Sequence, residues 1–149
     1  SDRSNTRLLR QRLIRGKAAQ ARLVPLYAPA DQPEEMLAAL EDGLKPHLPI
    51  SVLLLGMGAD MHTASLFPGA DRLEEALSTN APILLPMRAE AAGEPRITLT
   101  ARTLREAFNI HILITGPEKR AALERAMTLT PMEAPVRAVL DNATVHWAE

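Results

Sequence analysis

The chain contains no cysteine, which excludes a disulfide framework, a thiolate zinc site and a cysteine nucleophile, and suits a reducing compartment. It has no excess of either charge. Lys and Arg number 17 against 18 Asp and Glu, so the basic surface that nucleic acid or an anionic membrane requires is absent, and neither is expected as a partner. An anionic ligand must then be met by a few placed cations. Aromatics are scarce, with one Trp, one Tyr and two Phe, so no platform for stacking bases is expected; Phe67, Phe108 and the methionines read as core filling. The longest apolar runs, Ile50 to Leu55 and Ile83 to Met87, fall far short of the ~20 residues that cross a bilayer. A soluble, cytoplasmic protein is expected. The polar start Ser1-Asp2-Arg3-Ser4-Asn5-Thr6 has no initiator methionine, basic n-region or apolar h-region, so a natural start further upstream is expected.

What remains is apolar material for one core: 46% hydrophobic residues in 149, the length of one ordinary domain. Leu8, Leu9, Leu13 and Ile14 recur at helical spacing before Gly16, predicting an amphipathic helix over about 5 to 15 with arginines on its solvated face. Arg22 to Tyr27 reads as a short strand. Asp31 is placed to cap a helix that has Pro33 just inside and Glu34 in its first turn, buries Met36, Leu37 and Leu40, and ends before Pro46 and Pro49. Ile50-Ser51-Val52-Leu53-Leu54-Leu55 is almost wholly apolar rather than alternating, the pattern of a strand buried on both faces of a parallel sheet. Further strands are expected at Ile83 to Leu85, Ile97 to Leu99, Ile110 to Thr115 and Thr144 to Trp147, with a helix from Pro117 to Met127. Strands alternating with helices predict a single α/β domain over 1–149, a mostly parallel Rossmann-like sheet flanked by helices, with ligands at the carboxyl ends of its strands.

At the end of the best strand stands Gly56-Met57-Gly58-Ala59-Asp60-Met61-His62-Thr63-Ala64-Ser65-Leu66-Phe67-Pro68-Gly69. Gly56 and Gly58 let the backbone turn and approach a ligand, and are read as substrate-binding positions. His62 titrates near neutrality and can take a proton from water, while Asp60 can fix its tautomer and stabilise the imidazolium. An Asp-x-His taken alone is more often a solvated loop histidine beside an unrelated carboxylate. Ser65 lacks the surroundings of a nucleophile elbow and is read as a turn cap. His47 reads as loop surface, His111 as a satisfied core or edge residue and His146 as solvent-facing. No histidine pair has metal-site spacing, so neither metal nor cofactor is expected.

The run from Gly56 to Gly69 closely resembles the signature of 6-phosphogluconolactonases, a Gly-Met-Gly turn leading into Asp-Gly-His-Thr-Ala-Ser-Leu-Phe-Pro-Gly. Agreement extends to Ser4-Asn5 before a Leu-Leu helix, Arg96-Ile97-Thr98-Leu99-Thr100, Ile114-Thr115-Gly116 followed by Lys119, and the closing strand with Trp147, essentially the whole chain. The resemblance implies the fold shared with glucosamine-6-phosphate deaminases and ribose-5-phosphate isomerases, and hydrolysis of 6-phosphoglucono-1,5-lactone in the oxidative pentose phosphate pathway. It makes His62 the base, Asp60 its orienting partner, and Arg96 and Lys119 the cations that hold the phosphate of a sugar-phosphate substrate.

Two departures stand out. Met61 occupies a position where that family has glycine; if the backbone there takes a positive φ, the side chain costs on the order of 1 kcal/mol or more. The family's amino-terminal portion, with further strands, a Gly-rich phosphate loop and an Asp-Glu-Arg segment, has no counterpart in these residues, so the chain reads as the C-terminal part of such a domain. A sheet without those strands leaves an apolar edge, and self-association is expected. The rivals are a glucosamine-6-phosphate deaminase-like enzyme, disfavoured because Thr63-Ala64-Ser65-Leu66-Phe67-Pro68 stands where the deaminases carry an Asn-Glu-Pro stretch, and a non-catalytic sugar-phosphate sensor.

Overall fold

The computed structural model describes residues 4–149; Ser1-Asp2-Arg3 of the polar start lie outside them. Ser4 opens α1 (Asn5–Arg12), its hydroxyl accepting from the Arg7 amide at 3.3 Å, the usual way an N-cap serine satisfies an orphan donor. The helix ends earlier than the leucine spacing predicts, and Leu8, Leu9 and Leu13 are exposed. The stretch Arg22 to Tyr27 forms no strand. Pro25 lies in its middle and has no N–H to give a ladder, although Val24, Leu26 and Ala28 still pack inward.

Gln32, one residue after the expected Asp31, caps the next helical segment, with Pro33 as its first residue. Glu35 reaches back to accept from the Gln32 amide at 3.2 Å, while Glu34 turns away to Arg88 at 2.7 Å. A 3₁₀ turn at Pro33–Met36 runs into α2 (Leu37–Leu44). Then follow β1 (Leu53–Gly56), α3 (Leu73–Leu77), β2 (Leu84–Met87), β3 (Arg96–Leu99), α4 (Ala101–Arg105), β4 (Ile110–Thr115), α5 (Pro117–Ala126), α6 (Arg137–Leu140) and β5 (Ala143–Ala148).

The α/β class holds. Strands β1, β4 and β5 form a parallel sheet in the order β1-β4-β5, with Leu53 opposite Ile110 and Ile110 opposite Ala143. Strands β2 and β3 are a separate antiparallel pair, Leu84 opposite Leu99, stacked on Leu40 and Leu44 of α2 in a second, smaller cluster. The main core lies on one face of the parallel sheet, where Leu53, Leu55, Ile110, Ile112 and Ile114 meet Leu73, Leu104, Ala122 and Val139 from α3 to α6.

The opposite face corrects the expectation for β1, which among the described residues is covered on one side only. Val52 is 64% and Leu54 66% exposed, because the helices α3 to α6 that pack on this sheet share its other face. On the open side His111 and His146 meet across β4 and β5, Nδ1 to Nε2 at 3.0 Å. His111 is thus satisfied by a neighbour rather than by the core. No helix among the described residues is long and apolar enough to cross a membrane.

Parallel pairing has one consequence for the site. Gly56 ends β1 opposite Leu113, two residues before β4 ends at Thr115, so the loop after β1 and the amino end of α5 emerge at the same edge, where α/β sheets collect ligands.

Candidate active site

The loop after β1 is closed by its own backbone. The Gly58 amide donates to the His62 carbonyl at 3.0 Å and the Met61 amide to the Gly58 carbonyl at 2.9 Å, so Gly58 to His62 form a tight ring of chain. Both ends are fastened. The buried Thr63 hydroxyl donates to the Gly56 carbonyl at 2.9 Å, and the Val136 amide, at the start of α6, donates to the Met61 carbonyl at 3.1 Å. Further along, the Ser65 amide donates to the hydroxyl of Thr98 on β3 at 3.1 Å. Ser65 therefore takes part through its backbone, where the sequence suggested a capping side chain.

Inside this ring, Asp60 Oδ1 lies 2.6 Å from His62 Nδ1 and also accepts the His62 amide at 3.1 Å. A carboxylate only accepts, so this pairing assigns the proton to Nδ1, the tautomer in which Nε2 keeps its lone pair. That is the tautomer of a general base. The His62 side chain is 31% exposed, enough for solvent or a ligand to reach it.

Gly58 is required here for a reason other than backbone rotation. A Cβ built on it would collide with Asp60 Oδ1 and with Nδ1 and Cε1 of His62, so any other residue would force that pair to shift. Gly56 has open space around its Cα; what it supplies is the carbonyl that holds Thr63. The left-handed positions of this run fall elsewhere, at Met61 with φ 66°, Ala64 with φ 50° and Gly69 with φ 73°. Met61 thus bears the strain expected of a side chain at that position, on the order of 1–2 kcal/mol, while packing against the main core.

Arg96 and Lys119 are held differently. Arg96 opens β3, two residues before Thr98, and its guanidinium reaches Glu94 at 3.7 Å and the Ala92 carbonyl at 3.4 Å, bracing the preceding turn, while its Nε is buried without a partner. Lys119 stands in the first turn of α5, behind Gly116 at φ 82°, with no hydrogen-bond or ion-pair partner among the described residues. That turn is fixed by Trp147, whose Nε1 donates to the Gly116 carbonyl at 2.9 Å and whose ring lies under Arg120.

Two groups were not legible as parts of the site. Thr98 lies 33 residues from Ser65, and no local pattern joins them. Phe67 reads as core filling in the sequence, yet its ring stacks on His62 with centroids 4.3 Å apart and planes 29° apart. No group of three or more potential metal ligands occurs among the described residues.

Against known proteins, residues 1–147 match the family described as glucosamine-6-phosphate isomerases/6-phosphogluconolactonase. The chain is 43% identical over 156 aligned residues to a 6-phosphogluconolactonase of Rhizobium meliloti, covering 99% of this chain and 67% of that one. A 6-phosphogluconolactonase of Mesorhizobium japonicum is 43% identical, with 99% of this chain and 64% of the relative aligned. Among solved structures, a 6-phosphogluconolactonase from Shewanella baltica superposes with a TM-score of 0.94 at 30% identity, over 100% of this chain and 66% of the other. The chain thus spans about two thirds of the length of the relatives it matches.

Proposed function

Because this chain belongs to the glucosamine-6-phosphate isomerase/6-phosphogluconolactonase family, we propose that its site serves the hydrolysis of 6-phospho-D-glucono-1,5-lactone to 6-phosphogluconate. The observation that carries the proposal is the Asp60–His62 pair at 2.6 Å, held in a ring of chain that admits no side chain at Gly58.

His62 Nε2 takes a proton from water as the water oxygen attacks the lactone carbonyl, and Asp60 stabilises the imidazolium that forms. The bond from the carbonyl carbon to the ring oxygen then breaks, and the same proton passes from His62 to the departing oxygen. A positioned base of this kind contributes roughly 10²- to 10⁴-fold, and an ester needs no covalent intermediate for the rest. Phosphate binding falls to Arg96, whose fork suits phosphate oxygens, and to Lys119 at the amino end of a helix, which itself attracts anions.

The domain assigned is the C-terminal part of a lactonase-like domain, 1–149, and a cytoplasmic setting follows from a sugar-phosphate substrate. The open sheet face with Val52, Leu54 and Leu113 supports self-association of this chain. The deaminase-like alternative is disfavoured by the residues after His62, where no Asn-Glu-Pro stretch follows. The sensor alternative rests on Met61, and turnover excludes it.

Acid release from freshly generated lactone, read against the uncatalysed blank, tests the activity. Acceleration that needs the phosphate, with KM raised about tenfold or more by Arg96→Ala or Lys119→Ala, is expected. Equal rates with the unphosphorylated lactone would remove the phosphate contacts from the account.

A further inference from the structure

We infer that Phe67 is a positioning residue for the base: its ring fixes the plane of the His62 imidazole and so the direction of the Nε2 lone pair. The inference rests on the lactonase reading of His62.

Phe67 is only 7% exposed, yet it belongs to neither of the two hydrophobic clusters that make up the core. Its neighbour Leu66 is fully buried within the main cluster, so two successive apolar residues have separate tasks. Leu66 anchors the turn and Phe67 lies on the imidazole. The backbone that presents Phe67 is tied on both sides: the Leu66 amide donates to the Thr63 carbonyl at 2.9 Å and the Ala70 amide to the Phe67 carbonyl at 3.2 Å, with the Ser65 amide fastened to Thr98. A buried phenyl ring on a braced turn, its centroid 4.3 Å from that of the His62 imidazole, is placed to do more than fill space.

Asp60 alone cannot fix the imidazole. A single hydrogen bond lets the imidazole turn about χ1 and χ2 as the part-exposed Asp60 carboxylate moves with it, and that turning swings Nε2 away from a bound water. A flat apolar surface against one ring face removes that freedom, which is the kind of orientation that a general base needs. The same ring keeps water off that face, while its quadrupole favours the imidazolium formed in the reaction.

The test compares the chain with Phe67→Leu, Phe67→Tyr and, as a control, Phe108→Leu, an exposed phenylalanine at the opposite end of the sheet. Phe67→Leu is expected to lower kcat roughly tenfold with KM unchanged within about twofold, Phe67→Tyr to recover most of the rate, and Phe108→Leu to match the parent. Proton NMR supplies a readout independent of turnover. The His62 ring protons should sit upfield in the parent from the Phe67 ring current and move downfield in Phe67→Leu, where the Nδ1 proton should also exchange faster. A rate loss that appears in KM, or that Phe67→Tyr does not repair, overturns the inference, as do His62 resonances that ignore Phe67→Leu. A parent chain without lactonase activity would sink the activity assigned to His62, and the two NMR signals would still decide whether Phe67 holds the ring.

Discussion

A single missing Cβ governs the reactive pair. At Gly58 any side chain would meet both Asp60 and His62, so Gly58→Ala must push one of them away. The expected outcome is a fall in kcat of about 10²-fold or more, the contribution of the base, with a circular-dichroism melting curve close to the parent's. The neighbouring Met61 presents the opposite case. Its φ of 66° costs on the order of 1–2 kcal/mol, but its side chain packs against the main core, and glycine would restore freedom to the unfolded chain. These terms oppose one another, so Met61→Gly should change stability by less than about 1 kcal/mol in chemical denaturation and should not lower the rate. The Asp-x-His pair and the strain at Met61 were legible through the family resemblance: taken alone the pair reads as a solvated loop histidine, and Met61 stands out because the family has glycine there. The task of Phe67 was not, since an apolar side chain carries no mark of whether it faces a core or an imidazole.

Among the elements, the joint between the amino end of α2 and the turn after the signature loop is electrostatic. Arg88 reaches Glu34 at 2.7 Å and Gln32 at 3.1 Å, and its amide donates to Asp71 at 2.8 Å. The hydrogen bond from Arg88 holds the Glu34 carboxyl below its ordinary value of 4.5. A depressed carboxylate gives stability that is present above its unfolded pKa and is lost as pH falls through the folded one. Thermal stability should therefore decline below about pH 4.5, and in Arg88→Ala that part of the acid limb should flatten; a differential scanning series from pH 3 to 7 reads both. Element types were legible wherever period or apolar run was clear, as in β4 and α5. The misreading at Arg22 to Tyr27 came from a short, largely apolar stretch that Pro25 interrupts. The shift of the cap from Asp31 to Gln32 is a choice between adjacent polar residues, settled by the position of Pro33.

At the largest scale, the parallel sheet formed by the described residues is covered by them on one face only. Ile112 lies fully buried in the main cluster while Leu54 and Leu113 face outward. Ile112→Ala should cost about 2–5 kcal/mol, whereas Leu54→Glu should alter stability by no more than about 0.5 kcal/mol and should reduce self-association seen by light scattering. A parent chain that is already a clean monomer would remove self-association from the account. The apolar run of β1 could not reveal this asymmetry: a strand of hydrophobic residues reads the same whether one face or both are covered, and covering depends on distant helices.

The measurement that bears most directly on the central claim is the rate of lactone opening at neutral pH for the chain and for His62→Asn, each against the blank. Asparagine preserves the size of the side chain but cannot accept the proton, so the account predicts acceleration in the parent and its loss by about 10²-fold or more in the variant. Equal acceleration by both chains would contradict the assignment of His62 as the base.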